Sequence, residues 1–215
     1  MATNMQITHP AIHAYLEENR PASDPVLSAM EEYGRAQNFP SLGPQCGRLL
    51  FALVTISGAK RIFELGSGYG YSMYWMAKAM TGGGLVIGTD KDPRNAAAAR
   101  EYFRQGDLLE KTDLRTGDAV SLFEAEPGPF DMIVCDVDKE RYPEVFELAK
   151  PRLRRGGILI ADNVLWSGRI LDTSENDPAT NGIREFTRRI FAEPDFFSVI
   201  VPIRDGLSVS VKIGG

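Results

Sequence analysis

Two short stretches carry side chains suited to chemistry. In "CDVDKERY", residues 135–142, Asp136, Asp138 and Lys139 follow the apolar run "MIV"; in "GGILIADN", Asp162 and Asn163 close a second such run. Short continuous apolar runs that end in polar residues read as buried strands. Adjacent strand ends would gather Asp136, Asp162 and Asn163 around one point. Two carboxylates and an amide carbonyl are hard oxygen donors, suited to Mg²⁺ and also to Ca²⁺ or Mn²⁺. Three protein ligands leave an octahedral shell open for a substrate with two neighbouring oxygens, whose hydroxyl the ion would acidify. Lys139 follows Asp136 closely, and a lysine beside a dication and partly desolvated gives up its proton more readily, which suits it to accept the hydroxyl proton. Taken singly, Asp-Asn is more often a cap or turn and a lone lysine more often a solvent-facing charge. The weight lies in the combination with a second set upstream.

That second set begins at "FELGSGYGYS", between a strand and a helix. Gly66, Gly68 and Gly70 allow a tight turn and close approach of a ligand. Tyr71 stands where a dinucleotide fingerprint wants a small residue, and Glu64 would repel a pyrophosphate, so an NAD-type site is disfavoured. The same carboxylate suits a ligand with an amino group, such as the methionine part of S-adenosylmethionine (SAM). Ser72, at the start of the helix, is placed to hold the ligand's carboxylate with help from the helix N-terminus. Asp90 ends the next strand, where a carboxylate accepts ribose hydroxyls. "GDA", with Asp118 and Ala119, ends a third strand and would lie along the adenine edge.

The elements that must position these residues alternate regularly. "RIFEL", "LVIGTD", "DLRTGD", "FDMIVCD" and "GGILIAD" read as strands, separated by helices "YSMYWMAKAM", "RNAAAAREYFRQG" and "YPEVFELAKPRL" and followed by "NGIREFTRRIFAE". "FFSVIVPI" and "LSVSVKI" close the chain as an antiparallel pair across "RDG". The pattern predicts one α/β domain over residues 1–215. Helices occupy 1–58, with Ser23 capping "DPVLSAMEEYGRAQ", and a Rossmann-like core of seven mostly parallel strands occupies 59–215. Such a parallel sheet closed by an antiparallel pair is the habit of SAM-dependent methyltransferases, and its ligands bind beyond the carboxyl ends of the strands. Around that edge, Trp166 is a candidate wall for a planar substrate, while Asn38, Phe39 and Arg169 are candidates for its entrance. The polar stretch 166–182 reads either as a lid or as a plain surface loop. His9 and His13 read as surface residues and "KPRLRR" as a solvated helix end.

Composition narrows the partners. The 215 residues carry a formal charge of −5 and are 43% hydrophobic, which argues against a broad nucleic-acid or membrane-surface footprint. Apolar runs are too short to cross a bilayer, and the N-terminus lacks a signal pattern. The two cysteines, Cys46 and Cys135, form no framework or zinc motif and fit a reducing cytoplasm.

From about residue 35 onward, the chain resembles the class I cation-dependent O-methyltransferases, the family of catechol and caffeoyl-CoA O-methyltransferases. "ELGSGYGYS", "DVDKERY" and "GGILIADNVLWSG" carry the resemblance, with Asp90, "GDA" and "VPIRDGLSVSVKI" in support. It implies that Asp136, Asp162 and Asn163 bind the metal and that Lys139 is the base. By the same resemblance Glu64, Gly66, Ser72, Asp90 and Ala119 contact SAM, Asp136 also faces its amino group, and the protein forms a homodimer through its N-terminal helices. The acceptor would be a phenolic, catechol-like small molecule. Val137 and Asp138 place the loop nearer the caffeoyl-CoA and bacterial branch. The acidic residue that grips the second hydroxyl in the animal enzymes has no counterpart here. Two further readings stay open: methylation of a hydroxylated uridine in tRNA, as in some bacterial members, and a SAM-binding module without turnover.

Overall fold

The computed structural model describes residues 5–22 and 24–215. Three helices come first: α1 (Pro10–Glu18), α2 (Pro25–Ala36) and α3 (Gly43–Ser57). The alternating part then runs β1 (Arg61–Leu65), α4 (Tyr71–Ala79), β2 (Leu85–Asp90), α5 (Pro93–Gln105), β3 (Thr112–Thr116), α6 (Ala119–Ala125), β4 (Phe130–Cys135), α7 (Tyr142–Arg152) and β5 (Leu153–Ala161). It ends with α8 (Pro178–Ala192), β6 (Phe196–Val201) and β7 (Leu207–Lys212). The seven strands form one sheet in the order β3-β2-β1-β4-β5-β7-β6. β1 to β5 pair in parallel, and β7 runs antiparallel between β5 and β6. This is the expected Rossmann-like methyltransferase sheet with extra N-terminal helices.

Both faces of the sheet are covered, as continuous apolar strands require. On one face Ile62, Val86 and Met132 pack with α2 to α5 through residues such as Met30, Leu50, Met73 and Phe103. On the other, Phe63, Ile133 and Leu159 pack with α6 to α8 through Phe123, Phe146 and Phe186. The strand order reverses between β1 and β4, so their carboxyl ends splay apart into a crevice, and the residues that follow these strands are the ones that meet a ligand.

Helix starts fix where the loops can go. Asp92 and Asp177 cap α5 and α8 by accepting from the backbone N–H of Arg94 and Thr180, with a proline in each first turn. At α2 the cap is Asp24, which accepts from Leu27 N–H at 2.9 Å; Ser23, the expected cap, lies outside the described residues. Asp24 also bonds the Tyr74 hydroxyl and the Lys78 ammonium, tying α2 to α4. Two expected boundaries shift. β5 begins at Leu153 rather than Gly156, and α8 begins at Pro178, which shortens the loop after Trp166. The short helix α6, which begins at the Ala119 of "GDA" just past the end of β3 at Thr116, was not evident from the sequence. Replacing Asp24→Ala should destabilise the protein by about 1–2 kcal/mol in urea denaturation, because it removes a helix cap together with two side-chain partners.

Candidate active site

A cleft of about 610 Å³ opens at the carboxyl edge of the sheet, over the β1/β4 crevice. Its floor is built from the close approach of two strand ends. Asp136 N–H donates to Leu65 C=O at 2.8 Å, and a Cβ on Gly66 would lie 2.2 Å from the Asp136 carbonyl oxygen. Gly66 also sits at φ 87°, so no other residue fits there without moving the backbone.

One half of the cleft is lined by Gly66, Gly68, Asp90, Gly117, Asp118 and Ala119. The Asp90 carboxylate is held between the glycine loop and α5: it accepts from Gly68 N–H at 3.1 Å, Asp92 N–H at 2.8 Å and the Asn95 side chain at 2.9 Å. Asp118 caps α6 through Ser121 and pairs with Arg141 at 2.9 Å. The bonds from Ser121, with help from the arginine, hold its carboxyl below the usual range. Glu64 and Ser72 do not line the cleft; both are buried beneath the glycine loop. Burial pushes the Glu64 carboxyl up to about 7, the nearby Asp136 charge adds to this, and the Ser72 and Ser67 hydroxyls oppose it. Its Oε2 is buried without a hydrogen-bond partner among the described residues.

The other half brings together Asp136, Lys139, Asp162, Asn163 and Trp166, as the sequence predicts. β4 and β5 are paired, with Cys135 opposite Ala161, so the acids that follow them emerge side by side. Asp162 is 6% exposed. Burial, and then the charge of Asp136, raise its carboxyl above the usual range. Asn163 turns the chain at φ 57°. Lys139 is nearly buried, and its Nζ donates to Asp136 Oδ1 at 2.6 Å and to the Tyr142 hydroxyl at 2.9 Å. The Tyr142 hydroxyl in turn donates to the Asp162 carbonyl at 2.8 Å, so one buried phenol bridges the base candidate to the neighbouring strand end. Its role was not evident from the sequence, although its position three residues past Lys139, at the start of α7, was the available signal. Asp138 points outward and pairs loosely with Lys91 at 3.4 Å over the cleft.

Among the candidate substrate residues, Phe39 and Trp166 line the cleft. Phe39 stands edge-on to Tyr69 at 5.1 Å and covers Gly68. Asn38 and Arg169 do not line it. Asn38 faces a smaller hollow beside α2, and Arg169 pairs with Glu175 and Asp177 while lying over the Trp166 ring at 5.6 Å. Arg184 bonds the carbonyls of Arg169, Ile170, Asp172 and Glu175, which ties down much of the 166–182 stretch. One lining residue, Arg204 in the β6–β7 turn, was missed. Because β7 runs antiparallel to β5, this turn falls at the same edge as Asp162, a consequence readable only once the pairing is known. Both cysteines are buried, and burial pushes their thiols up to about 12, so neither is a nucleophile. Among the described residues no group of three or more His, Cys, Asp and Glu is arranged to hold a metal, and no helix is long and apolar enough to cross a membrane.

Comparison with known proteins agrees with this geometry. Residues 25–213 match the family described as O-methyltransferase. The sequence is 35% identical over 180 residues to the catechol O-methyltransferase of Niastella koreensis, spanning 80% of this chain and 81% of that one. It is 29% identical over 182 residues to the catechol O-methyltransferase of Mycobacterium tuberculosis, spanning 83% of each. The crystal structure of an O-methyltransferase from Bacillus cereus, in complex with SAH, superimposes with a TM-score of 0.86 at 31% identity, over 94% of this chain and 97% of that one. The chain belongs to the class I, SAM-dependent O-methyltransferase family.

The buried Glu64 gives a pH signature. Its folded-state pKa of about 7 lies above the ordinary 4.5, so the folded protein binds the extra proton between these values. The ligand-free protein should therefore lose stability as pH rises through that window. Glu64→Gln should remove this loss and gain about 1–3 kcal/mol at pH 8, with no gain near pH 4, measured by urea denaturation at each pH.

Proposed function

We propose that the protein moves the methyl group of SAM to one hydroxyl of a vicinal dihydroxy aromatic small molecule, with a divalent cation required. The observation that carries this reading is the joining of two half-sites in one cleft: Gly66, Gly68 and Asp90 at one end, and Asp136, Lys139, Asp162 and Asn163 at the other.

The residues suit SAM. Glu64, buried beneath the glycine loop with its Oε2 unpartnered among the described residues, adds a negative field that favours an ammonium group in the cleft, and the Gly66 cradle leaves room that a Cβ would fill. Asp90 is preset for ribose hydroxyls, and Asp118 and Ala119 flank the space for adenine. Ser72 supports Glu64 rather than reaching the cleft, so its part in binding is indirect. When bound, SAM supplies a methyl on a sulfonium that departs as a neutral thioether.

The donor set also suits a hard dication. Burial and the Asp136 charge raise the proton affinity of Asp162, as expected of a buried carboxylate that lacks a counter-charge, and Asn163 offers a neutral oxygen beside it. Mg²⁺ fits best, with Ca²⁺ or Mn²⁺ sharing its preference for oxygen, and the ion would acidify a hydroxyl and hold it in place. A cation held by Asp136 would free Lys139 from its ion pair, and Lys139 would then be placed to accept the hydroxyl proton. Tyr142 keeps its Nζ aimed along the cleft. Trp166 and Phe39 offer flat walls to an aromatic ring. With the charges of oxyanion and sulfonium cancelling in the transition state, the gain comes mainly from positioning. Exposed Ile56, at 83%, and Phe51 on α3 support an apolar homodimer face at the N-terminal helices, and the two free cysteines support a reducing compartment, the cytoplasm.

The direct test is methyl transfer from labelled SAM to catechol. Transfer should require Mg²⁺, stop with EDTA and return when the ion is restored. Lys139→Ala should lower kcat about 10²–10⁴-fold with SAM affinity within about twofold. Transfer that is indifferent to EDTA would remove the cation from the reading, and unchanged turnover would remove Lys139 as the base.

A further inference from the structure

One lining residue has no part in the chemistry above. Arg204, in the β6–β7 turn, lines the cleft that also holds Asp162, Asn163 and Trp166. The other lining cations are paired: Lys91 with Asp138, Lys139 with Asp136, and Arg141 with Asp118 and Glu144. Arg204 makes no ion pair and no side-chain hydrogen bond with any described residue; its stem passes beside Gly43, whose added Cβ would meet the Arg204 Cδ at 3.3 Å. Its charge is felt at Asp162 without forming a bridge to it.

The backbone there is unusual as well. Arg204 sits at φ 51°, a left-handed conformation that a glycine adopts freely and an arginine adopts at a cost. The turn is fixed from both sides. Gly206 N–H donates to Ile203 C=O at 2.8 Å, Val164 N–H to Gly206 C=O at 3.1 Å and Leu165 N–H to Asp205 C=O at 2.9 Å. Asp205 also accepts from Ser167 N–H. A rigid turn thus holds an unpaired, planar guanidinium at the mouth of an aromatic-walled cleft, in a conformation for which its side chain is poorly suited. Guanidinium groups match carboxylates through two parallel hydrogen bonds.

Building on the proposed O-methyl transfer, we infer that Arg204 selects acceptors that carry a carboxylate on or near the ring, so the favoured substrates are dihydroxylated aromatic acids rather than neutral catechols. The ring hydroxyls face Asp162 and Asn163 while the acid group reaches out to the turn.

The test compares 3,4-dihydroxybenzoate and 3,4-dihydroxycinnamate with their neutral methyl esters and with catechol, using the full chain with SAM and Mg²⁺. Wild type should favour each acid over its ester in kcat/KM by about 10- to 100-fold. Arg204→Gly should erase that preference and leave catechol turnover within about twofold, since glycine suits the left-handed turn and should not weaken folding. Arg204→Lys should restore part of it. Calorimetry of the same acids and esters with the SAH-loaded, Mg²⁺-containing protein reads the contact without turnover, and the acids should bind more tightly in an Arg204-dependent way. Equal kcat/KM or equal affinity for acid and ester in wild type overturns the inference, as does an equal loss on all acceptors in Arg204→Gly. Failure to methylate any of these acceptors in wild type, with acid binding still dependent on Arg204, would instead count against the proposed reaction and leave the acid-binding role standing.

Discussion

Negative charge crowded at the carboxyl edge of one sheet is the constraint on which the rest of this structure depends. Glu64, Asp136 and Asp162 lie at the carboxyl ends of three strands that are neighbours in the sheet, β1, β4 and β5, and two of the three are almost fully buried. The parallel pairing of β1, β4 and β5 fixes their spacing, because a strand that slipped by one residue would turn these side chains to the opposite face. Burial, with the Asp136 charge adding to it, raises the proton affinity of Glu64 and Asp162, which resist ionisation unless cations offset them. The edge is therefore built to collect positive charge.

Each cation in or proposed for the site answers that demand from a different direction. Lys139 is the one the chain supplies itself, bonded to Asp136 and steadied by Tyr142. In the proposed reaction an ammonium-bearing ligand would offset the field of buried Glu64, and a dication would offset Asp136 and Asp162. On the proposed reaction, their arrival would release Lys139 from its ion pair with Asp136 and so link ligand occupancy to the readiness of the base. Arg204 stands at the rim of the same field but outside its pairing, leaving its charge available to a ligand. The glycine loop matters for the same reason: Gly66 lets β1 and β4 approach closely enough for the charges to meet in one cleft.

Much of this was legible in the sequence because it rests on strong local signals. Continuous apolar runs such as "MIV" and "ILIA" define strands, and their polar successors must then lie at the sheet edge, so Asp136, Lys139, Asp162 and Asn163 were placed together without coordinates. What escaped depends on short-range geometry or long-range pairing. Helix α6 spans only seven residues, too few for a periodic signal. Asp118 was assigned to the ligand alone, although it also caps that helix. Asn38 lies one residue from Phe39, but its left-handed backbone at φ 50° accompanies a different exposure, facing the hollow beside α2. Arg204 required knowing that β7 reverses direction beside β5, and Tyr142 required seeing its hydroxyl reach across to the next strand end.

The central claim, that Asp136 and Asp162 form a pair awaiting a cation, is tested most directly by the thermal midpoint of the SAH-loaded protein with and without millimolar Mg²⁺. A ligand that binds only the folded state raises that midpoint in proportion to its affinity. Mg²⁺ should raise the midpoint of the wild type, while Asp136→Asn and Asp162→Asn should lose that rise, each read against the same variant in metal-free buffer. An absent rise in the wild type, or an equal rise in both variants, would contradict the account.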